Sequence, residues 1–328
     1  MKQFSKIDSD TFSHQNQGLY LSDIRNARER IKPFIHMTPI LTSSFLNQIT
    51  NAKLFFKCEN FQKIGAFKIR GATNFVQQIS KQQAELGVVT HSSGNHGQAV
   101  AAAAKDRCIK STVVMPQSAS NVKKKAVASY GAQVVICEDG DEARSNSAAK
   151  YEAKGAILVH PYGHPWIIAG QGTIGLELMD QISDLDVIIV PVGGGGCISG
   201  IAIAIHSINP HINIIGVEPL TADDAKRSLV AGKILPSLNP ITIADGLKTG
   251  LAPVTYRILK SKNIKILTVK EEDIIKAMRI IWMRMKIIVE PSAAVSLAAV
   301  VTNSEQFNNK RIGIILTGGN VDIDKLPW

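Results

Sequence analysis

Long apolar runs are missing from this sequence. Nowhere in its 328 residues is there an uninterrupted apolar stretch of the about eighteen a membrane span needs. The nearest approach, Ile188 to Ile205, is broken by Pro191 and the glycines after it. Paired cysteines are missing too. Cys58, Cys108, Cys137 and Cys197 are widely separated and form no CxxC, which excludes a disulfide framework or a zinc knuckle and leaves reduced, mostly buried thiols as the expectation. Aromatic residues are scarce, at 5%. Lys and Arg outnumber Asp and Glu 37 to 27, a net charge of +10, but few rings are interleaved with that charge to stack bases, so no nucleic-acid partner is expected. The densest run, Lys123 to Lys125, reads as a solvated face. The first residues, MKQFSKIDSDTFSHQNQ, lack an apolar signal region, so a cytoplasmic protein that does not enter the membrane is expected.

What is present is a globular composition, 45% apolar and 20% charged, in a length that suits about two domains. Short apolar runs alternate with longer helical segments, the pattern of an α/β protein around a largely parallel sheet. Strands are expected at Leu54–Cys58, Gly87–Thr90, Ser111–Met115, Gln133–Cys137, Ile157–Val159, Val187–Pro191, Asn213–Glu218 and Gly313–Leu316. Helices are expected at Leu21–Ile31, Gln98–Lys105, Val122–Tyr130, Glu142–Lys154, Gln171–Gln181 and Glu271–Ile288. In the last, Met278, Trp282 and Met285 fall at helical spacing and read as core or subunit interface. Four strands between residues 79 and 160 suggest a small domain set into a larger one made of 1–78 and 161–328. Ligands of such folds gather at the carboxyl ends of strands.

Three segments lie there. Gly193, Gly194, Gly195 and Gly196 follow a strand and precede a helix, so their bare N–H groups can cradle a phosphate. The dinucleotide pattern GxGxxG fails in either register, at Ile198 or Ser199, although Glu218 sits where a ribose-binding acid would. Lys68, enclosed by Phe67 and Ile69, could be desolvated into an amine fit for Schiff-base chemistry, though a lone helical lysine is more often solvated. Ser92, Ser93, Asn95 and His96 open an alanine-rich helix. Their hydroxyls and N–H groups suit either a ligand carboxylate or ordinary capping, and His96 reads as structural rather than metal-binding. A fourth group, Glu218 to Asp224, places carboxylates six positions apart across a proline turn; it suits Mg²⁺ or Ca²⁺ but also reads as a solvated acidic loop.

Taken in order, these segments resemble the fold-type II pyridoxal-phosphate enzymes, the tryptophan-synthase-β-like family that holds the serine racemases and serine/threonine dehydratases. The resemblance runs through TPILTSSFLN, FFKCENFQKIGAFKIRGA, THSSGNHGQA, AGQGTIG, PVGGGG, GVEP, ADGLK, RMKIIVEPSAA and LTGGNVD. It implies two open, twisted, mostly parallel sheets in a large and a small domain, with pyridoxal 5'-phosphate in the cleft between them. Lys68 would bind the cofactor covalently, with Phe67 beside its ring and Asn95 at the ring hydroxyl. Gly193 to Gly196, Cys197 and Gly246 would hold it, and Thr317 would face the pyridine nitrogen. A hydroxyl there makes a weaker electron sink than a carboxylate would, favouring elimination or racemisation over transamination. Lys68 and Ser93 would be the two bases, one on each face. Ser92, Ser93, Asn95, His96 and Thr249 would hold the substrate carboxylate, joined by Arg144 on closure.

The resemblance also assigns Glu218, the Ala222 carbonyl and Asp224 to Mg²⁺, with Ca²⁺ or Mn²⁺ as substitutes, and displaces the ribose reading of Glu218. It places Lys286 and Asn320 near a nucleotide site, hence ATP as an effector. The implied protein is a homodimer acting on small β-hydroxy amino acids: a serine racemase with dehydratase activity, or a plain L-threonine/L-serine ammonia-lyase or 3-hydroxyaspartate dehydratase. An NAD-dependent dehydrogenase is the rival from another class. The chain ends soon after TGGN, so a C-terminal regulatory domain and isoleucine feedback are not expected.

Overall fold

The computed structural model describes residues 18–328 apart from positions 93, 120 and 239. Among the described residues the strands are β1 (Ile40–Leu41), β2 (Lys53–Cys58), β3 (Val88–His91), β4 (Ser111–Pro116), β5 (Gln133–Cys137), β6 (Ile157–Leu158), β7 (Val187–Pro191), β8 (Asn213–Pro219), β9 (Lys265–Val269) and β10 (Arg311–Leu316). They form two sheets. One has the order β1-β2-β10-β7-β8-β9 and the other β5-β4-β3-β6. All pairings are parallel except β1 with β2. The smaller sheet is built wholly between β2 and β7, so the chain leaves the large sheet once and returns.

The central strands carry continuous apolar runs because helices cover both their faces. β7, VIIVP, is buried at every residue, and β10 is buried from Ile312 onward. The eight expected strands fall within two residues of those observed. Two strands were not expected: β1 is only two residues long, and β9 is an edge strand with two of its five residues buried. The helix expected over Glu271–Ile288 stops at Ile280, opens into a π turn over Ile281–Met285 and ends at Lys286 with φ 59°. Met278 is buried, Trp282 and Met285 pack partly on the same core, and the Trp282 ring meets Trp328 edge-on. No helix among the described residues is long and apolar enough to cross a membrane.

Two features fix the helix that begins at Lys68. Its neighbours approach backbone to backbone: a Cβ on Gly170 would lie 2.6 Å from the Arg70 carbonyl oxygen, and one on Gly200 would lie 2.3 Å from that of Ile168. Arg70, fully buried, is paired with Glu59 and Glu177, each at 2.7 Å. Lys57 joins Glu177 at 2.7 Å, and the Thr38 hydroxyl donates to Glu59 at 2.6 Å.

Candidate active site

Strand ends of both sheets converge on a cavity of about 770 Å³. It brings together Phe67, Lys68, Ser92, Asn95, His96, Arg144, Gly193 to Gly196, Cys197, Gly246, Thr249, Thr317 and Asn320. Glu218, Ala222, Asp224 and Lys286 are not on its wall. Ser93, the expected second base, lies outside the described residues.

Lys68 is the first residue of its helix, and its Nζ donates to the Pro161 carbonyl at 2.8 Å. The ammonium stands 5.2 Å from the centre of the Phe67 ring. Burial lowers its pKa from 10.5 to about 8, against the opposing pull of Cys197 and Glu290. Cys197 itself is pushed up to about 12 by burial, which makes it a packing thiol rather than a nucleophile.

The glycine loop is shaped by its neighbours as well as by any ligand. Gly195 has φ 82°, and Gly196 opens the helix Gly196–Ile208. A Cβ on Gly193 would meet the Gly246 carbonyl oxygen at 2.9 Å, and one on Gly194 would lie 2.3 Å from the Tyr162 ring. Unsubstituted backbone at the N-terminus of a thirteen-residue helix makes an anion cradle.

Asn95 opens the helix Asn95–Asp106, but both ends of its amide are taken. Nδ2 donates to Glu290 at 2.8 Å, and Oδ1 accepts from Asn320 at 2.9 Å. Each end keeps one unused site, a second Nδ2 hydrogen and a second Oδ1 lone pair, for a ring hydroxyl. Burial, followed by Asp245, raises the Glu290 carboxyl to about 8. Ser92 Oγ accepts from the Gly94 N–H at 3.3 Å. Thr317 is buried, and its carbonyl accepts the Phe67 N–H at 3.0 Å.

His96 corrects one expectation. Its Nε2 lies 2.9 Å from the Val159 carbonyl, so that nitrogen carries the proton; burial and Lys68 hold the ring well below its usual pKa. Nδ1 is then a buried lone pair with no partner among the described residues, which offers a carboxylate nothing. Only the His96 backbone N–H, in the first turn of its helix, suits that anion.

The family described as pyridoxal-phosphate dependent enzyme matches residues 31–318. The chain belongs to this family. It is 48% identical over 307 residues to a β-hydroxyaspartate dehydratase from Paracoccus denitrificans, covering 93% of this chain and 98% of that one. It is 47% identical to the serine racemase of Dictyostelium discoideum, covering 93% and 96%. The solved structure of maize serine racemase superposes with a TM-score of 0.90 at 42% identity, covering 94% of this chain and 95% of that one. The family's cofactor fits the cavity: the glycine cradle suits its phosphate, and the depressed Lys68 amine suits its aldehyde.

A second polar site lies apart from the cavity. Glu218 is fully buried, and its carboxylate accepts the N–H groups of Ala225 and Lys226, each at 2.9 Å. Asp224 is buried, and neither carboxylate oxygen makes a well-formed hydrogen bond among the described residues, although Arg227, the Ser237 hydroxyl and the Leu251 N–H all act to favour its charged form. Burial raises Glu218 to about 8 and Asp224 to about 6. No ion pair among the described residues includes either group. Two buried carboxylates and the Ala222 carbonyl in the intervening turn fit a hard divalent cation.

Sequence reasoning missed His91, His160, Tyr162, Glu290 and the Lys123–Asp245 ion pair, all on the cavity wall. Glu290 carried a signal inside RMKIIVEPSAA, as did His91 inside THSSGNHGQA and Asp245 inside ADGLK; the others meet through folding of distant segments.

Proposed function

We propose that this enzyme interconverts and dehydrates β-hydroxy amino acids, with serine racemisation and loss of water and ammonia as its two outcomes. The observation that carries the reading is the desolvated Lys68 amine, set between the glycine cradle and the helix that opens at Asn95. Pyridoxal phosphate, when bound, supplies an electron sink for the substrate α-carbon. The glycine loop holds its phosphate, and the Thr317 hydroxyl faces its ring nitrogen without the charge of a carboxylate. Lys68 anchors the cofactor and moves the α-proton on one face, while Ser93 moves it on the other. Ser92, Thr249 and the first N–H groups of the Asn95–Asp106 helix hold the substrate carboxylate. Residues 79–160 form the small domain, which closes with Arg144.

Mg²⁺ binds at Glu218, Ala222 and Asp224. Lys286 and Asn320 contact an ATP effector, and the Asn320–Asn95 bond carries its effect into the cavity. The enzyme works as a cytoplasmic homodimer. Relatives named serine racemase and β-hydroxyaspartate dehydratase support both outcomes.

The test is to incubate the protein with pyridoxal phosphate, Mg²⁺ and L-serine, separating D-serine chirally and assaying pyruvate in the same samples. Both products are expected, and both vanish in Lys68→Ala. Loss of D-serine in Ser93→Ala marks Ser93 as the second base. Failure of the loaded enzyme to turn over serine, threonine and 3-hydroxyaspartate alike rejects the reading.

A further inference from the structure

Loss of water from a β-hydroxy amino acid needs a proton for the departing hydroxyl, because hydroxide is a poor leaving group at neutral pH. Lys68 and Ser93 are occupied with the α-proton. The histidines bring no acidic proton: burial takes His160 down to about 4 and holds His96 well below its usual value. The His96 ring N–H is already spent on the Val159 carbonyl. Glu290 is bonded to Asn95, at the ring-hydroxyl end of the site.

Tyr162, on the same cavity wall, offers an acid in a fixed position. Its ring is held on several sides. A Cβ on Gly194 would lie 2.3 Å from its Cγ, and one on Gly196 would lie 2.9 Å from its Cβ. The His160 ring meets it edge-on with centroids 4.8 Å apart. His160 is fixed in turn, its Nδ1 accepting the backbone N–H groups of Gly163 at 2.8 Å and Tyr162 at 3.2 Å. None of this packing uses the hydroxyl, and a phenylalanine ring would fill the same space. The hydroxyl is drawn instead by the Thr249 side chain. Burial, followed by Asp224, holds the phenol above its usual range against Arg144 and Thr249, so it keeps its proton at neutral pH and can donate.

Thr249 Oγ1 would lie 3.4 Å from a Cβ on Gly193, which puts this pair of hydroxyls at the edge of the glycine cradle. Thr249 is placed at the substrate carboxylate in the reading above. The β-carbon of the substrate hangs from the same α-carbon as that carboxylate, so its oxygen comes within reach of a donor beside Thr249.

We propose that Tyr162 is the catalytic acid of the elimination, its phenol donating to the substrate β-hydroxyl and so deciding whether water leaves. The Lys68 amine takes the α-proton, and the Cα–H electron pair becomes the second bond between Cα and Cβ. The Cβ–O bond breaks with its pair on oxygen, which takes the phenol proton and departs as water. The proton held by Lys68 then returns to the phenolate, so both side chains end as they began. Racemisation breaks no Cβ–O bond and needs no such donor. This rests on the β-hydroxy amino acid reading above and adds a residue to it.

The test is Tyr162→Phe in the cofactor-loaded enzyme, which keeps the ring and removes the hydroxyl. Initial rates of pyruvate formation are compared for L-serine and for β-chloro-L-alanine, whose chloride leaves without a proton. The serine-to-chloroalanine ratio is expected to fall about a hundredfold in the variant, and D-serine formed per pyruvate to rise about as much. Equal falls on both substrates would mean that the ring only packs, and with an unmoved ratio they overturn the assignment. In either case, wild-type turnover of serine leaves the parent reading intact. A wild type that eliminates chloride but turns over none of serine, threonine and 3-hydroxyaspartate rejects the parent reading, and the role of Tyr162 with it.

Discussion

Among the described residues two pairs of carboxylates are buried, and they differ in who neutralises them. Glu59 and Glu177 share Arg70, Lys57 and the Thr38 hydroxyl, all supplied by the chain. Burial would raise Glu177, yet its bonds to Arg70 and Lys57 hold it below the usual range. Glu218 has two backbone N–H groups and Asp224 the weaker pull of Arg227, Ser237 and Leu251, and burial outweighs these and raises both. A buried charge therefore says little by itself. Where the chain brings its own counter-charge the cluster is scaffold, and where it does not the cluster awaits a ligand. Lys68 is the cationic version of the second case.

The largest effect that can break this distinction is Arg70→Ala. It leaves two buried carboxylates against one lysine and should cost about 3–5 kcal/mol in urea unfolding; a cost near zero would mean that the network is not scaffold. Next comes the other pair. Mg²⁺ or Ca²⁺ added to chelator-treated protein should raise Tm with increasing concentration, by about 2.7 kcal/mol of stability at a hundredfold excess over Kd. Asp224→Asn should abolish that response, and a wild-type Tm indifferent to both cations would make the pair inert.

Lys68 sharpens the comparison through pH. Its folded pKa is depressed from 10.5 to about 8, so the fold penalises the protonated amine below about pH 8. Cofactor-free stability should therefore rise as pH climbs from about 8 toward 10.5. Because only the neutral amine attacks an aldehyde, cofactor uptake followed by absorbance should climb about tenfold per pH unit and level off above about 8. A plateau delayed past pH 10 would show a solvated lysine. The smallest effect is expected on the cavity wall, where the half-exposed Lys123–Asp245 pair should lose about 1 kcal/mol of stability or less in Asp245→Asn.

The strands and the chemistry-bearing motifs were legible because each is local. A four-glycine run, a lysine between apolar neighbours and a Ser-Ser-Gly-Asn turn declare themselves within ten residues. The edge strand β9 was not legible, since its half-exposed residues give no apolar run. Nor was the early end of the helix at Ile280, because the Glu271–Ile288 apolar spacing continues past the point where the backbone opens into a π turn. His160 and Tyr162 were hidden for another reason. Each is ordinary in its own segment, and only the meeting of the two sheets makes them one wall. The tautomer of His96 depends on a carbonyl 63 residues away and has no trace in the local pattern.

The contacts at Gly170 and Gly200 bear on how this enzyme can be altered. Because peptide planes rather than side chains set the spacing of the helices behind Lys68, the surrounding apolar residues can be exchanged in a randomised library without moving the amine. A single methyl group added at either glycine would drive those helices apart and carry Lys68 with them. Variation selected for activity should thus be tolerated more readily in the packing around the site than at these two positions or at Gly71 and Gly172, where an added Cβ also meets backbone at 2.8 Å.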